Sequence, residues 1–316
     1  MVRTQFYPVI CDSIWAKSLQ EKYGIHFTDL LDVQPDGWLN SLEFWRELPA
    51  NISIIYDCGG WSYRDEDVPP IDSASISKEY ERKANHGSMV IAPDHMLIPG
   101  VDLDFRRKWN REQAQRFLED CPDTLKPMAA VHGMSEEERV EHATWLSELG
   151  YKHMAIGGVA GRATEAESII KMVKGVRRSI DPGVWLHVLG LTSLSYYREW
   201  MKIGVDSVDG TTYLRQSLAG KFNYINSEGE IKAHAVAQPE DEDSSDFLIH
   251  VPSKSRAPDC FCKACVALRD IGLDTRAFGS TAPTHGRAFH NLNVLIKAQS
   301  MAFINNHRAV KFELTP

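Results

Sequence analysis

No stretch of the 316 residues approaches the roughly 20 consecutive apolar positions that a bilayer span needs, and Met1-Val2-Arg3-Thr4-Gln5 opens without an apolar run of signal-peptide type. A soluble, cytoplasmic protein with no membrane partner is the expectation. A basic excess is also missing: 35 Lys and Arg against 43 Asp and Glu leave a formal net charge of −8, so any nucleic acid must be gripped by local basic patches. Nor is there a disulfide framework, because Cys11, Cys58 and Cys121 are scattered while Cys260, Cys262 and Cys265 crowd into six positions. No glycine-rich phosphate loop follows the first apolar run, which argues against a nucleotide-binding open sheet. Internal repeats are absent, and the single low-complexity stretch, Gln238 to Asp246, reads as a solvated loop.

What is present is ordinary globular composition, 43% hydrophobic and 25% charged, in a chain long enough to bury about three quarters of its unfolded surface. The central region alternates short apolar runs with longer amphipathic ones. Met128 to Val131, His153 to Ile156, Trp185 to Leu189 and Asp206 to Val208 read as strands. Helices are predicted between them over Ser135 to Leu149, Thr164 to Arg178 and Leu194 to Ile203. Ser135 with Glu138, and Thr164 with Glu167, form capping-box pairs, and Gly150 and Gly204 act as stops. Phe6 to Ile10, Ile52 to Tyr56 and Met89 to Ala92 supply earlier strands, and Phe247 to His250 a weak eighth. Eight strands at this length favour a (β/α)8 TIM barrel, with catalytic groups just after strand C-termini. The domains expected are a barrel core over 1–250 and, over 251–316, an inserted C-terminal zinc-binding subdomain with the helix that completes the barrel.

Cys260-x-Cys262-x-x-Cys265 offers three soft thiolates, and His290 follows 25 positions later, a donor set suited to a closed tetrahedral Zn²⁺ site of structural kind. His285 competes for the fourth place. Three aspartates end apolar runs: Asp57, Asp94 and Asp209. One such residue is usually a turn or a cap, but three at equivalent places suggest a carboxylate site. Paired carboxylates, one nucleophile and one acid/base, suit retaining glycosyl transfer.

Several motifs then fall in a familiar order. Asp57-Cys58-Gly59-Gly60-Trp61 resembles the Asp-Ser-Gly-Gly-Phe of tRNA-guanine transglycosylases, and Ala155-Ile156-Gly157-Gly158 matches that family's Ala-Ile-Gly-Gly. Gly204 to Asp209 resembles its Gly-Ile-Asp-x-Phe-Asp, and the cysteine cluster with His290-Asn291-Leu292 resembles its zinc site. The resemblance runs from about Phe6 to Ile304. It implies a (β/α)8 barrel with a zinc subdomain that exchanges guanine in a polynucleotide for a free 7-deazaguanine base. By that resemblance Asp209 is the nucleophile, Asp57 the general acid/base and Asp94 the base-reading carboxylate. Trp61 and Leu189 flank the purine, and Gly157 and Gly158 bring backbone close to it.

The departures are specific. His132-Gly133 stands where the family has Gln-Gly, which changes one purine contact, and Thr211 to Arg215 replaces its Pro-Thr-Arg. Gly157-Gly158-Val159-Ala160-Gly161-Arg162 offers no carboxylate where bacterial tRNA enzymes of the family carry a glutamate for an aminomethyl cation on the incoming base, so a neutral nitrile fits better. These traits resemble the DpdA-type DNA 7-deazaguanine transglycosylases. DNA is therefore the preferred substrate over tRNA, with 7-cyano-7-deazaguanine as the incoming base. A non-catalytic nucleic-acid-binding subunit and a zinc hydrolase are the competing readings, and a homodimer or helper proteins are possible partners. Arg106-Arg107-Lys108 with Arg111, and Lys171, Lys174, Arg177 and Arg178, are candidate backbone contacts.

Overall fold

Eight strands of three to six residues pair only in parallel: β1 Gln5–Pro8, β2 Trp38–Ser41, β3 Ile54–Asp57, β4 Met89–Ile91, β5 Lys126–Val131, β6 His153–Ile156, β7 Trp185–Val188 and β8 Ser207–Gly210. The computed structural model describes residues 3–10, 19–162, 164–236, 257, 259–276 and 281–313. The strands run in the order β1-β8-β7-β6-β5-β4-β3-β2. A parallel bridge between Val9 and Leu39, with the Ile10 amide donating to the Leu39 carbonyl at 2.9 Å, joins the two ends of that order. The sheet therefore closes into a barrel, as the alternating sequence pattern implied.

Seven strands coincide with the expected runs and the eighth does not. Phe247 to His250 lies outside the described residues, and the eighth strand is β2, Trp38–Ser41. Its polar second half, Asn40-Ser41, hides it from an apolar-run criterion. Asn40 is nonetheless fully buried, its amide donating to the Arg46 carbonyl at 2.8 Å.

Helices α1 Ser73–Lys83, α2 Leu103–Asp120, α3 Glu136–Leu149, α4 Ala166–Ser179 and α5 Leu194–Ile203 follow β3 to β7 in turn. In α3 the Ser135 hydroxyl accepts from the Glu138 amide and Gly150, at φ +106°, ends the helix in the left-handed conformation. Only half of the predicted capping box forms. The Glu138 carboxylate turns to the Met134 amide and to Arg107. The second predicted box is absent: α4 begins at Ala166 with Glu165 as its cap and no side-chain cap bond. Glu165 is instead held by Arg162 at 2.6 Å, an ion pair that competes with capping. The buried face of α3 includes polar residues: Arg139 and His142 are buried beside Ala143 and Leu146.

Strand alternation assigns the barrel interior. Tyr7, Leu39, Ile55, Met89, Ile91, Met128 and Ala155 form one buried cluster, with Val9, Trp185 and Leu189 against it. Two residues further along their strands stand Ser41, Asp57 and Gly157, and β7 and β8 continue the same parity through His187 and Asp209. The apolar interior thus gives way to polar groups at the C-terminal mouth.

The chain divides into two compact units, residues 1–10 with 36–210, which hold this barrel sheet, and residues 11–35 with 211–316. The second unit contains α6 Thr212–Leu218, an antiparallel pair β9 Lys221–Ile225 and β10 Ile231–Ala235, α7 Lys263–Asp270 and α8 Thr281–Glu313. The expected 250/251 boundary and the acidic stretch 238–246 lie outside the described residues. Among the described residues no helix is long and apolar enough to cross a membrane.

Candidate active site and metal cluster

Asp57 closes β3 and pairs in register with Ser41 of β2. Its Oδ2 accepts from the Gly59 amide at 3.1 Å. Burial, reinforced by the nearby Asp209 and Glu43 charges and opposed by the Gly59 and Ser41 hydrogen bonds, pushes its carboxyl up to about 6. A carboxyl at that value holds or gives up a proton near neutral pH, the property a general acid/base requires. Asp94 follows β4 and Pro93. Burial, with the Asp57 charge second, raises it to about 7, against the pull of a hydrogen bond from Cys58. The Cys58 thiol donates to Asp94 Oδ1 at 3.3 Å and sits 3.3 Å from the Tyr63 hydroxyl. Burial beside two carboxyls holds that thiol well above its usual range, so it stays an S–H donor.

Gly60 belongs to this corner for a steric reason. A Cβ there would lie 2.7 Å from Asp94 Oδ1 and 3.3 Å from the Asp94 carbonyl, so the Gly-Gly turn passes where only glycine fits. Across the mouth, Asp209 on β8 is 5% exposed. Its Oδ1 accepts from the Gly190 amide at 2.9 Å and lies 3.1 Å from His187 Nε2. Since Asp209 raises Asp57 and Asp57 raises Asp94, the three carboxyls share one electrostatic environment.

The other expected site residues take distinct places. His132 Nε2 lies 3.4 Å from Asp94 Oδ2 but has no aligned hydrogen-bond partner among the described residues, and burial holds the imidazole well below its usual value, hence neutral. The His132 amide donates to His142 Nδ1 at 2.9 Å. A Cβ on Gly157 would touch Leu189 Cδ1 at 3.5 Å, so these two adjoin, and the Gly157 carbonyl accepts from the buried Arg139 guanidinium at 2.9 Å. Gly158 follows with φ +70°. Trp61 is 60% exposed with the Arg64 guanidinium 4.4 Å from its ring centre, which removes core packing as its role. The basic clusters are partly structural. Arg106 is buried and donates to the carbonyls of Arg64, Glu66 and Met96, and Arg177 binds the Val184 carbonyl and Asp206. Arg107, Arg111 and Lys171 are paired with Glu138, Glu141 and Glu136. Lys108, Lys174 and Arg178 remain on the surface.

In the second unit the ligand atoms of Cys260, Cys262, Cys265 and His290 lie within 4.8 Å of one another. His290 Nδ1 is 3.5 Å from the sulfurs of Cys262 and Cys265, while Nε2 lies 2.8 Å from the Asn223 carbonyl and stacking on Phe222 holds the ring. A carbonyl accepts only, so Nε2 carries the proton and Nδ1 is free to ligate, the outer-shell arrangement that suits a histidine ligand. Three sulfurs and one imidazole nitrogen fit a tetrahedral metal ion. The cluster takes His290, not His285.

A family model described as queuine tRNA-ribosyltransferase matches residues 103–296. The chain belongs to this family. One curated relative, a DNA-guanine transglycosylase of Salmonella montevideo, is 26% identical to this queuine tRNA-ribosyltransferase family member over 205 residues, covering 60% of this chain and 48% of the relative. The chain thus spans about half the length of that protein. The family match begins at Leu103, after Asp57 and Asp94, so the placement of those two acids beside Asp209 rests on the structure.

Sequence reasoning passed over His187, Cys58, Tyr63, Arg139 and His142. The available signal for His187 was parity: it stands two residues before Leu189 in an otherwise apolar strand.

Proposed function

We propose that this chain is a base-exchanging transglycosylase that replaces guanine in DNA with a 7-deazaguanine base, 7-cyano-7-deazaguanine fitting best. The observation that carries the reading is the pair Asp57 and Asp209 at the mouth of a parallel barrel, near enough for one charge to raise the other's pKa. In the first half-reaction an Asp209 oxygen bonds to C1′ as the C1′–N9 bond breaks. The bond's electron pair leaves with guanine, and protonated Asp57 supplies the neutralising proton. In the second half, N9 of the incoming base attacks C1′, its proton passes to Asp57, and Asp209 departs as a carboxylate. No net proton or electron is consumed. Kinetics are ping-pong.

His132 Nε2, buried without a hydrogen-bond partner among the described residues, lies 3.4 Å from Asp94 Oδ2, and a purine edge bound beside the pair would satisfy it. Leu189 and Trp61 supply apolar faces for the base. A target inside a duplex must be flipped from the stack to reach such a mouth. The name of the curated relative supports DNA, and the lack of a carboxylate in Gly157-Gly158-Val159-Ala160-Gly161-Arg162 supports a neutral 7-substituent. The Cys260, Cys262, Cys265 and His290 set is read as a structural Zn²⁺ site, closed by four protein ligands and leaving no position for a hydrolytic water.

The test incubates the protein with 7-cyano-7-deazaguanine and either plasmid DNA or unmodified tRNA, then digests and quantifies the modified nucleoside. Modified DNA is the expected result. Modification of tRNA alone overturns the DNA assignment, and modification of neither supports a non-catalytic subunit.

A further inference from the structure

His187 is a fully buried imidazole in the middle of β7, in register with Ser207 of β8, and both of its ring nitrogens are engaged. Nδ1 lies 2.7 Å from Ser207 Oγ, and Nε2 lies 3.1 Å from Asp209 Oδ1. The Trp185 indole N–H donates to the same Ser207 oxygen at 2.8 Å. An indole nitrogen can only donate, so Ser207 accepts there and its own O–H is free to point at Nδ1. A neutral imidazole whose Nδ1 accepts must carry its proton on Nε2, which then donates to Asp209. The opposite tautomer would set a nitrogen lone pair against a carboxylate. With the Gly190 amide, Asp209 Oδ1 thus receives two hydrogen bonds, while Oδ2 receives none from any described residue.

We infer that His187 is a positioning residue whose Nε2–H, fixed by the Trp185–Ser207 relay, turns the Asp209 carboxylate so that Oδ2 is the attacking atom. This rests on the glycosyl-transfer reading. In the covalent ester Oδ2 bonds to C1′ and Oδ1 is the carbonyl oxygen. When the incoming base displaces the ester, the bonding pair returns to the carboxylate, and the two donors at Oδ1 stabilise the charge that spreads onto it. His187 gives up no proton at any point. Its effect therefore falls on the chemical step and not on base binding.

The test compares His187→Phe and His187→Gln in labelled-guanine exchange, with Asp209→Asn as the inactive control. Loss of one hydrogen bond to a buried charge should cut kcat about 10- to 100-fold in His187→Phe. KM for the free base should stay within about twofold, the signature of an interaction made in the transition state. His187→Gln keeps an N–H donor of similar reach and should recover most of the rate. Equal kcat in wild type and His187→Phe, with Asp209→Asn inactive, overturns this inference and leaves the transglycosylase reading intact. If wild type exchanges no base on DNA or RNA, that reading fails first, and the tautomer decides the inference. ¹⁵N NMR of histidine-labelled protein, with the His187 resonances identified by their loss in His187→Phe, should show Nε2–H with bare Nδ1. An Nδ1–H tautomer overturns the relay.

Discussion

The barrel mouth and the cysteine cluster collect reactive side chains by opposite routes. Three of the four cluster ligands lie within six residues, so a loop and one turn of α7 suffice, and only His290 must be delivered from a distant helix. The mouth draws Asp57, Asp94, His187 and Asp209 from or just after four different strands, spread over more than 150 positions. It depends on parallel register and on inward parity being right on every strand. A donor set close in sequence is recognisable from spacing. A site assembled from strand ends is recognisable only once the strands are aligned. The energetics differ as well. The cluster's donors could hold a cation, which would stabilise the fold, whereas the mouth holds carboxyls raised by desolvation, a cost to the fold.

That contrast can be broken most forcefully at the cluster. If the cluster holds zinc, Cys265→Ser should lower zinc content, measured by elemental analysis, and lower the melting temperature, because metal binding there is coupled to folding. Retention of one zinc per chain would mean that the cluster is not its site. At the mouth, Asp209→Asn should abolish labelled-guanine exchange, by about 10³-fold or more, with zinc content unchanged. A third test concerns the acid/base. Single-turnover release of guanine should decline above pH about 6, as Asp57 loses the proton it must donate, and Asp57→Asn should flatten that profile at a low rate.

A smaller effect tests the strain of the mouth directly. Asp94 has its folded-state value raised to about 7, so its contribution to stability is fully present below the unfolded carboxyl's value of about 4 and is lost as pH rises through 7. Asp94→Asn removes that loss. Its melting temperature should exceed wild type most at pH 8, the gap narrowing towards pH 5 and closing below pH 4. A gap independent of pH would show that Asp94 does not titrate in that range. Smallest of all, Ser135→Ala removes the α3 cap and should cost about 1 kcal/mol in denaturant unfolding, with exchange activity unchanged.

Seven of the eight strands and both helix stops were legible because buried parallel strands are short apolar runs and left-handed caps favour glycine. Trp38–Ser41 was not, because half of it is polar and the Asn40 amide N–H finds its acceptor, the Arg46 carbonyl, outside its own strand. The capping box at Thr164 read plausibly, but the helix starts later, at Ala166, with Glu165 in the cap position and paired to Arg162. The buried polar residues of α3 were not legible either, since Arg139 is buried where it braces the Val131 and Gly157 carbonyls. In the same way the buried Arg106 and the half-buried Arg177, counted as nucleic-acid contacts from charge alone, support loop carbonyls.

The sequence by itself determined the alternation of strand and helix, the thiolate cluster and the set of aspartates at strand ends, since each follows from local periodicity or spacing. Tertiary structure alone decided which strand completes the barrel and that Asp209 is held through one oxygen by His187. Those outcomes depend on register between strands far apart in the chain, and a hydrogen bond forms only where register brings donor and acceptor within about 3 Å.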